Sequence, residues 1–218
     1  MIENECFIFN ALRAAGFTDC AAAGVIANLY VESGLKPDNV QNSCEKRVGS
    51  DSDYTERVNS GAYSRESFMR DACGYGLAQW TFSTRKAALY DYCRNHSGNI
   101  SNIDDQINFL VIECKTRGLF AKLNGCKTPY AAAIMFMLEF ERPKNQTITA
   151  QKSRGELGVR FYNDNVSSHS IDATAAKLDD LCAAVRDTLN GKYGNGDARK
   201  RALGDKYDVV QTIINYIS

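Results

Sequence analysis

Apolar residues recur every three or four positions along much of the chain, a spacing that predicts a mainly helical protein. The clearest case is the stretch 21–37, AAAGVIANLYVESGLKP, in which one helical face carries Ala22, Val25, Ile26 and Leu29. Thr18 and Asp19 precede this stretch and can cap its first turn. Gly34 suits a left-handed C-terminal position, and Pro37 prevents continuation of the helix. The pattern therefore puts Glu32 in the last helical turn.

The same periodicity predicts further helices over residues 3–15, 104–117, 129–141 and 151–163, and another that begins near residue 83. Residues 129–141 are apolar nearly all round, which is typical of a buried central helix. Residues 38–73, by contrast, are polar and have no sustained period. We expect a long loop or a small lobe there, with room for a short hairpin, that lines a site.

A polar stretch near residue 170 interrupts the periodicity and predicts a linker. Beyond it, helical spacing resumes in three short segments. The predicted organisation is a large domain over residues 1–163, a linker over 164–176 and a small three-helix module over 177–218.

Composition narrows the classes of function. The 218 residues include 26 bases and 26 acids, so charge gives no reason to expect binding to nucleic acid or an anionic membrane. No apolar run approaches the roughly 20 residues of a membrane span. The N-terminus lacks a basic region, which indicates no signal peptide and folding in a cytoplasm. Eight Cys without a C-x-x-C pair predict that most of the cysteines are small core residues, and with only two His no metal site is expected. No cofactor is expected either.

Glu32 is a candidate general acid because of its position at a helix C-terminus. The unpaired carbonyl groups there form the negative end of the helix dipole, and Tyr30, Val31 and Leu35 are apolar neighbours. Both features predict a raised pKa for Glu32. An acid that keeps its proton near neutral pH is suited to general-acid catalysis. The alternative is a surface Glu on an amphipathic helix.

Three motifs together resemble the phage-tail-type lysozyme family over roughly residues 1–163. They are ANLYVESGLKP, GYGLAQWT followed by S-x-R-K-A-A-L, and EFERP after the apolar helix. The resemblance implies a lysozyme-like α+β fold with a small β-hairpin lobe. It also implies that Glu32 protonates the glycosidic oxygen between MurNAc and GlcNAc, and that residues 74–81 form the facing wall of the cleft.

The facing wall supplies further candidates for the site. Gln79 could bind an N-acetyl group or position water, and Tyr75, Trp80 and Thr81 could contact the sugars, although Trp80 could equally be a core anchor. The identity of the second catalytic carboxylate is open at this point. Asp71 is the first choice, with a turn-capping role as its equal alternative. The other candidates are Asp51, Asp53, Glu139 and Glu141, or no second carboxylate at all.

Two pairs of neighbouring charged residues are expected to have structural or surface roles. Glu141 and Arg142 are expected to form a structural ion pair. Arg85 and Lys86 are expected on an exposed helical turn.

Residues 177–215 resemble one copy of the cell-wall-binding repeat called CW_7, with Tyr193 where Trp is common and a shortened LGDKYD turn. The resemblance implies muropeptide binding by the turn GKYGNGDARK and its neighbours. The residues expected to bind muropeptide are Asp180, Arg186, Tyr193, Asn195, Arg199 and Lys200. A solvated charged face and a structural turn are the alternatives, and Tyr193 could simply pack.

These features predict an endolysin that hydrolyses the MurNAc–GlcNAc bond of bacterial peptidoglycan and waits in the host cytoplasm until its release to the wall. The alternatives are a lytic transglycosylase and a tail protein that only grips the wall. Peptidoglycan is the expected partner. Because a single repeat should bind weakly, self-association through the C-terminal module is a further expectation.

Overall fold

The computed structural model describes residues 4–217, except for the side chains of residues 167–176, 178–179 and 216–217. It is mainly helical, as the periodicity predicts, and it divides into two compact units, Met1–Asn165 and Val166–Ser218. The helices are α1 Glu5–Ala14, α2 Asp19–Ser33, α3 Glu45–Val48, α4 Asp51–Ser60, α5 Arg65–Arg70, α6 Ser83–Asn95, α7 Ile103–Thr116, α8 Leu119–Gly125, α9 Pro129–Phe136, α10 Ile148–Leu189, α11 Asp197–Leu203 and α12 Tyr207–Ile217.

Helix α2 forms the centre of the first unit. The side chain of Thr18 accepts a hydrogen bond from the backbone N–H of Ala21, and Gly34 ends the helix with a φ of 63°, as the sequence predicts. The helix is buried on every side rather than on one face, because it crosses α9 closely. A Cβ atom on Gly24 would come within 2.6 Å of Ala133 N, so only glycine permits this approach. Asn28 Nδ2 donates to Ala133 O at 2.9 Å.

The expectation of a long loop over residues 38–73 is wrong, since this segment contains α3, α4 and α5. Ser50 and Ser64 cap α4 and α5 with their side chains. These helices are short and mostly solvated, and each buries only a few side chains, among them Tyr54 and Phe68. Too few buried positions fall within each helix to produce a visible period.

Residues near the predicted hairpin form two isolated antiparallel bridges, Val40 with Tyr75 and Tyr75 with Trp80. In the second bridge Tyr75 and Trp80 exchange both backbone hydrogen bonds, at 3.2 and 3.0 Å. No longer strand is found among the described residues. The bridges fix a tight turn over residues 75–80.

The second unit has its own small apolar core, which brings together the last part of α10, α11 and α12. It consists of Ala184, Leu203, Val210 and Ile214. The predicted linker over 164–176 falls within α10, and its side chains from residue 167 onward lie outside the described residues. The linker therefore stays a prediction. None of the described helices has a run of apolar residues suited to crossing a membrane.

Candidate active site

A polar cleft of about 690 Å³ opens in the first unit, at the C-terminal end of α2. It is lined by that helix end, by the loop that precedes α3, by the turn around residue 79 and by the segment that follows α9. The lining residues used below are Glu32, Gln79, Thr81, Phe82, Arg85 and Glu141. The structure thus brings Glu32, Gln79 and Thr81 to one cleft, as the sequence predicts.

Glu32 lies at the mouth of a charge cluster rather than in an apolar pocket. Its side chain is 25% exposed, and its Oε1 accepts a hydrogen bond from Arg154 Nη2 at 2.9 Å. Of the three neighbours expected to exclude water, Val31 is half exposed and only Leu35 is fully buried. The charge of Arg154, which lies on α10, is therefore the main feature of the surroundings of Glu32.

The same guanidinium also holds Glu141. Arg154 Nη2 donates to Glu141 Oε2 at 3.3 Å, and the side chain of Glu141 is only 5% exposed. Burial raises the pKa of Glu141 well above its usual range, and the negative charge of Glu32 raises it further. Arg154 replaces Arg142 as the ion-pair partner expected from the sequence. Glu141 is thus the second carboxylate at this cleft.

Glycines shape the wall opposite Glu32. A Cβ atom on Gly74 would come within 2.6 Å of Gln79 Oε1, so a larger residue at this position would displace the side chain of Gln79. Gln79 itself has a left-handed φ of 46°. Its Nε2 donates to the backbone O and to the Oδ1 of Asn39, at 3.1 and 2.9 Å. Thr81 Oγ1 donates to Gln79 O at 2.9 Å. The side-chain amide of Gln79 is therefore held in one orientation at the cleft.

Tyr75 and Trp80, predicted to contact sugars, are fully buried behind this wall and do not line the cleft. Their large rings fill the core, and the polar atom of each ring pairs with a neighbouring side chain. Tyr75 Oη pairs with Thr55 Oγ1 at 2.8 Å. Trp80 Nε1 donates to Glu113 Oε2 at 2.7 Å. Trp80 thus contributes to the cleft only indirectly, because Glu113 also holds the cleft residue Arg85 at 2.6 Å.

Phe82 is the aromatic side chain that does face the cleft, and the sequence reasoning missed it. It is 72% exposed and immediately precedes α6. The available signal was its position just outside a helix that starts at Ser83. An aromatic residue there has no helical face on which to be buried.

Asp71, the first choice for the second carboxylate, is buried and does not line the cleft. Its Oδ1 accepts from Lys86 Nζ at 2.6 Å and from the backbone N–H of Cys73 at 2.9 Å. Tyr54 Oη donates to its other oxygen. Lys86 is fully buried, so the expectation of an exposed position is wrong. Burial is the main cause that lowers the pKa of Lys86.

The remaining acidic candidates have other partners. Asp51 Oδ1 accepts from Val40 N at 2.8 Å, and Asp53 Oδ2 accepts from Ser50 Oγ at 2.8 Å. Glu139 pairs with Lys122 at 2.7 Å on the surface. Of the predicted carboxylates, only Glu32 and Glu141 share the cleft.

In the second unit, most of the residues predicted to bind muropeptide are in contact with other side chains of that unit. Asp180 pairs with Lys206 at 2.5 Å, and Tyr193 Oη donates to Asp187 at 3.2 Å. Lys200 lies 5.8 Å from the ring centre of Tyr207.

Arg199 fixes the glycine-rich turn of the second unit. It donates to Gly194 O, Asn195 Oδ1 and Gln211 Oε1 at 2.8 to 3.1 Å. Arg186 lies beside an apolar depression with Leu181. The turn is therefore held in shape by the polar residues expected to bind ligand.

Comparison with protein families gives two matches. The family model described as phage tail lysozyme matches residues 3–164, and the model described as CW_7 repeat matches residues 179–217. The first match includes every cleft residue named above. The CW_7 match includes all the residues of the second unit that are predicted to bind muropeptide.

Proposed function

The chain belongs to the phage tail lysozyme family, and on that basis we propose that it is an endolysin muramidase that cleaves the MurNAc–GlcNAc bond of peptidoglycan. A lysozyme-like domain together with a cell-wall-binding repeat supports a protein that acts on peptidoglycan. The observation that carries the finer proposal is the position of Glu32 in a polar cleft that also contains Gln79 and Glu141. In this reading, the bridged turn around Tyr75 corresponds to the small β lobe of the lysozyme-like fold.

In the proposed reaction, Glu32 gives its proton to the glycosidic oxygen as the bond from that oxygen to the anomeric carbon breaks. A water molecule adds to the anomeric carbon, and the proton it loses returns to the acidic group. Arg154 holds Glu32 in place through the bond at 2.9 Å. Gln79, fixed by Asn39, is positioned to orient an N-acetyl group or the water.

Mass spectrometry of the products released from purified peptidoglycan tests this proposal. A muramidase yields fragments with a reducing MurNAc. Fragments that lack one water on MurNAc would instead identify a lytic transglycosylase, and a reducing GlcNAc would identify cleavage of the other bond. Wall binding without any new reducing ends would identify a tail protein that only grips the wall.

Phe82 is proposed to stack on a sugar ring, since it is the exposed aromatic side chain of the cleft. Replacing Phe82 with Ala should raise KM for soluble glycan chains roughly threefold to tenfold, because an aromatic contact contributes about 0.5–1.5 kcal/mol. The value of kcat should change much less. Steady-state kinetics measure both. Phe7→Ala, which removes a half-exposed ring on α1 away from the cleft, is the matched control. Equal KM values for all three proteins would remove Phe82 from the binding site.

The second unit is proposed to hold muropeptide through the turn around Tyr193 and Asn195, with Asp180, Arg186, Arg199 and Lys200 nearby. The proposed organisation keeps a catalytic domain over residues 1–163, a linker over 164–176 and a three-helix module over 177–218. Self-association through this module would add avidity, and light scattering of the full chain measures it.

Ending the chain after residue 176 should separate wall binding from chemistry. All cleft residues lie before Asn165, so activity on soluble fragments should stay within about twofold of the full chain. Lysis of whole cells at low protein concentration should fall by roughly 10²-fold, because the second binding contact is lost. Turbidity and reducing-end assays on the two proteins measure the difference. Unchanged lysis of whole cells would contradict a targeting role for the module.

A further inference from the structure

Two carboxyl groups of the cleft, Glu32 and Glu141, contact the same cation, Arg154. Arg154 Nη2 lies 2.9 Å from Glu32 Oε1 and 3.3 Å from Glu141 Oε2. The side chain of Arg154 is 9% exposed and that of Glu141 is 5% exposed, so solvent screens this group poorly. With both acids ionised, the three side chains carry a net charge of −1. With one proton bound, the group is neutral, which is the state that burial favours.

The hydrogen bonds also favour a protonated group. Among the described residues, Glu141 Oε1 is a buried oxygen without a hydrogen-bond partner, and Arg154 Nη1 is likewise unpaired. An unpaired oxygen is much more costly on a buried carboxylate than on a neutral carboxyl group. Glu141 is the deeper of the two acids, whereas Glu32 is the more exposed.

We propose that Glu141 is a positioning residue that acts through Glu32: the two acids share one proton beside Arg154, and this sharing sets the pH range over which Glu32 can donate. The inference rests on the proposed role of Glu32 as general acid. The proton moves from the Glu141 carboxyl to the Glu32 carboxylate, and Glu32 delivers it to the glycosidic oxygen. The proton released by the attacking water then restores the pair.

The other charged groups near the pair do not remove this effect. Arg85 of α6 lines the cleft and is paired with Glu113 of α7 at 2.6 Å. Lys144 lines the same cleft. Arg154 and Arg85 lower the pKa of Glu141, yet burial and the charge of Glu32 outweigh them and the pKa stays raised. The pair therefore keeps a proton above the range in which a solvated Glu loses it.

The pH dependence of kcat/KM in the full chain tests the inference. Glu141→Gln keeps the shape of the side chain but cannot ionise or supply a proton. Glu32 then lies beside Arg154 without a negative neighbour, so the cation favours the ionised form of Glu32, which has no proton to give. We expect the alkaline limb of the profile to move toward lower pH by about one pH unit or more. At a fixed pH on that limb, activity should then fall roughly tenfold for each pH unit of the shift. Activity at the acid end should stay within a few-fold of wild type.

Two further variants separate this role from a structural one. Glu139→Gln removes a carboxylate that lies two residues before Glu141 and pairs with Lys122 on the surface. The pH profile of this variant should match that of wild type. Glu141→Asp retains a carboxyl group and should recover most of the alkaline limb. Thermal unfolding of each variant, measured over the same pH range, distinguishes a loss of catalysis on either limb from a loss of folded protein. A Glu141→Gln profile that superimposes on wild type would overturn the inference.

A measurement on the wild-type chain covers the case in which Glu141→Gln does not fold. Carboxyl ¹³C shifts of labelled Glu, followed by NMR from pH 3 to pH 9, should show a coupled pair with one apparent pKa well above the usual value of about 4.3. Assignment of the pair uses Glu32→Gln. If no Glu carboxyl titrates above that usual range, the inference fails. If wild type releases no glycan fragments, the proposed function fails instead.

Discussion

The Glu32→Gln variant is expected to lose peptidoglycan cleavage by about 10²–10⁴-fold, the usual contribution of a general acid. Gln keeps the size of the side chain, and its carbonyl oxygen can still accept the hydrogen bond from Arg154 that Glu32 Oε1 accepts now. It has no acidic proton to give to the leaving oxygen. The loss should therefore appear in kcat with the fold intact, and release of reducing ends from purified walls measures it.

Glu156→Gln is a matched control for this result. Glu156 lies on α10, two residues beyond Arg154, and pairs with Lys152 at 3.7 Å while largely exposed. Its replacement should leave cleavage unchanged, since it does not line the cleft. Wall binding by Glu32→Gln should also match wild type, because the second unit is untouched. Cleavage by Glu32→Gln at the native rate would end the case for Glu32 as the acid.

The position of Glu32 could be predicted because its determinants are local. Thr18, Gly34 and Pro37 mark the ends of α2, and the structure uses the first two as the sequence predicts. The facing wall over residues 74–81 is a different case, because the resemblance to a known family implied it and spacing alone did not. Short-range spacing was therefore sufficient to place Glu32 at the end of α2 but not to place the opposite side of the cleft.

The partners of Glu32 could not be predicted in the same way. Arg154 is 122 residues away along the chain, and nothing in its neighbourhood marks it as the residue that holds Glu32 and Glu141. The burial of Lys86 is a similar case, because the neighbouring Arg85 does line the cleft. Helical spacing tells on which face of the helix a side chain lies. Only the packing of other elements against that face determines whether the side chain is exposed or buried.

Asp71 illustrates how an acid near a motif can be drawn into the core. Its proximity to Gly74 made it the first choice for the second carboxylate, yet it binds Lys86, Tyr54 and Cys73 N inside the first unit. We propose that its role is structural. Its ion pair joins the start of the facing wall to α6, the helix that also carries Arg85.

Replacing Lys86 with Met should therefore destabilise the first unit by about 3–5 kcal/mol, the usual effect of leaving one member of a buried ion pair without its partner. Lys86 and Asp71 have side chains that are 0% and 3% exposed, so water cannot take the place of the lost ammonium group. Urea denaturation measures the change. Trp80 is the single Trp of the chain and is buried in this unit, so its fluorescence reports the transition.

The double variant Asp71→Asn with Lys86→Met should recover part of this stability, since it removes the uncompensated charge along with its partner. Arg65→Met is the matched surface control. Arg65 pairs with Asp91 at 2.6 Å, but both side chains are 44% or more exposed, so water screens the pair and its loss should change stability far less than the loss of Lys86. If Lys86→Met costs no more than Arg65→Met, the Lys86–Asp71 pair does not stabilise the wall of the cleft.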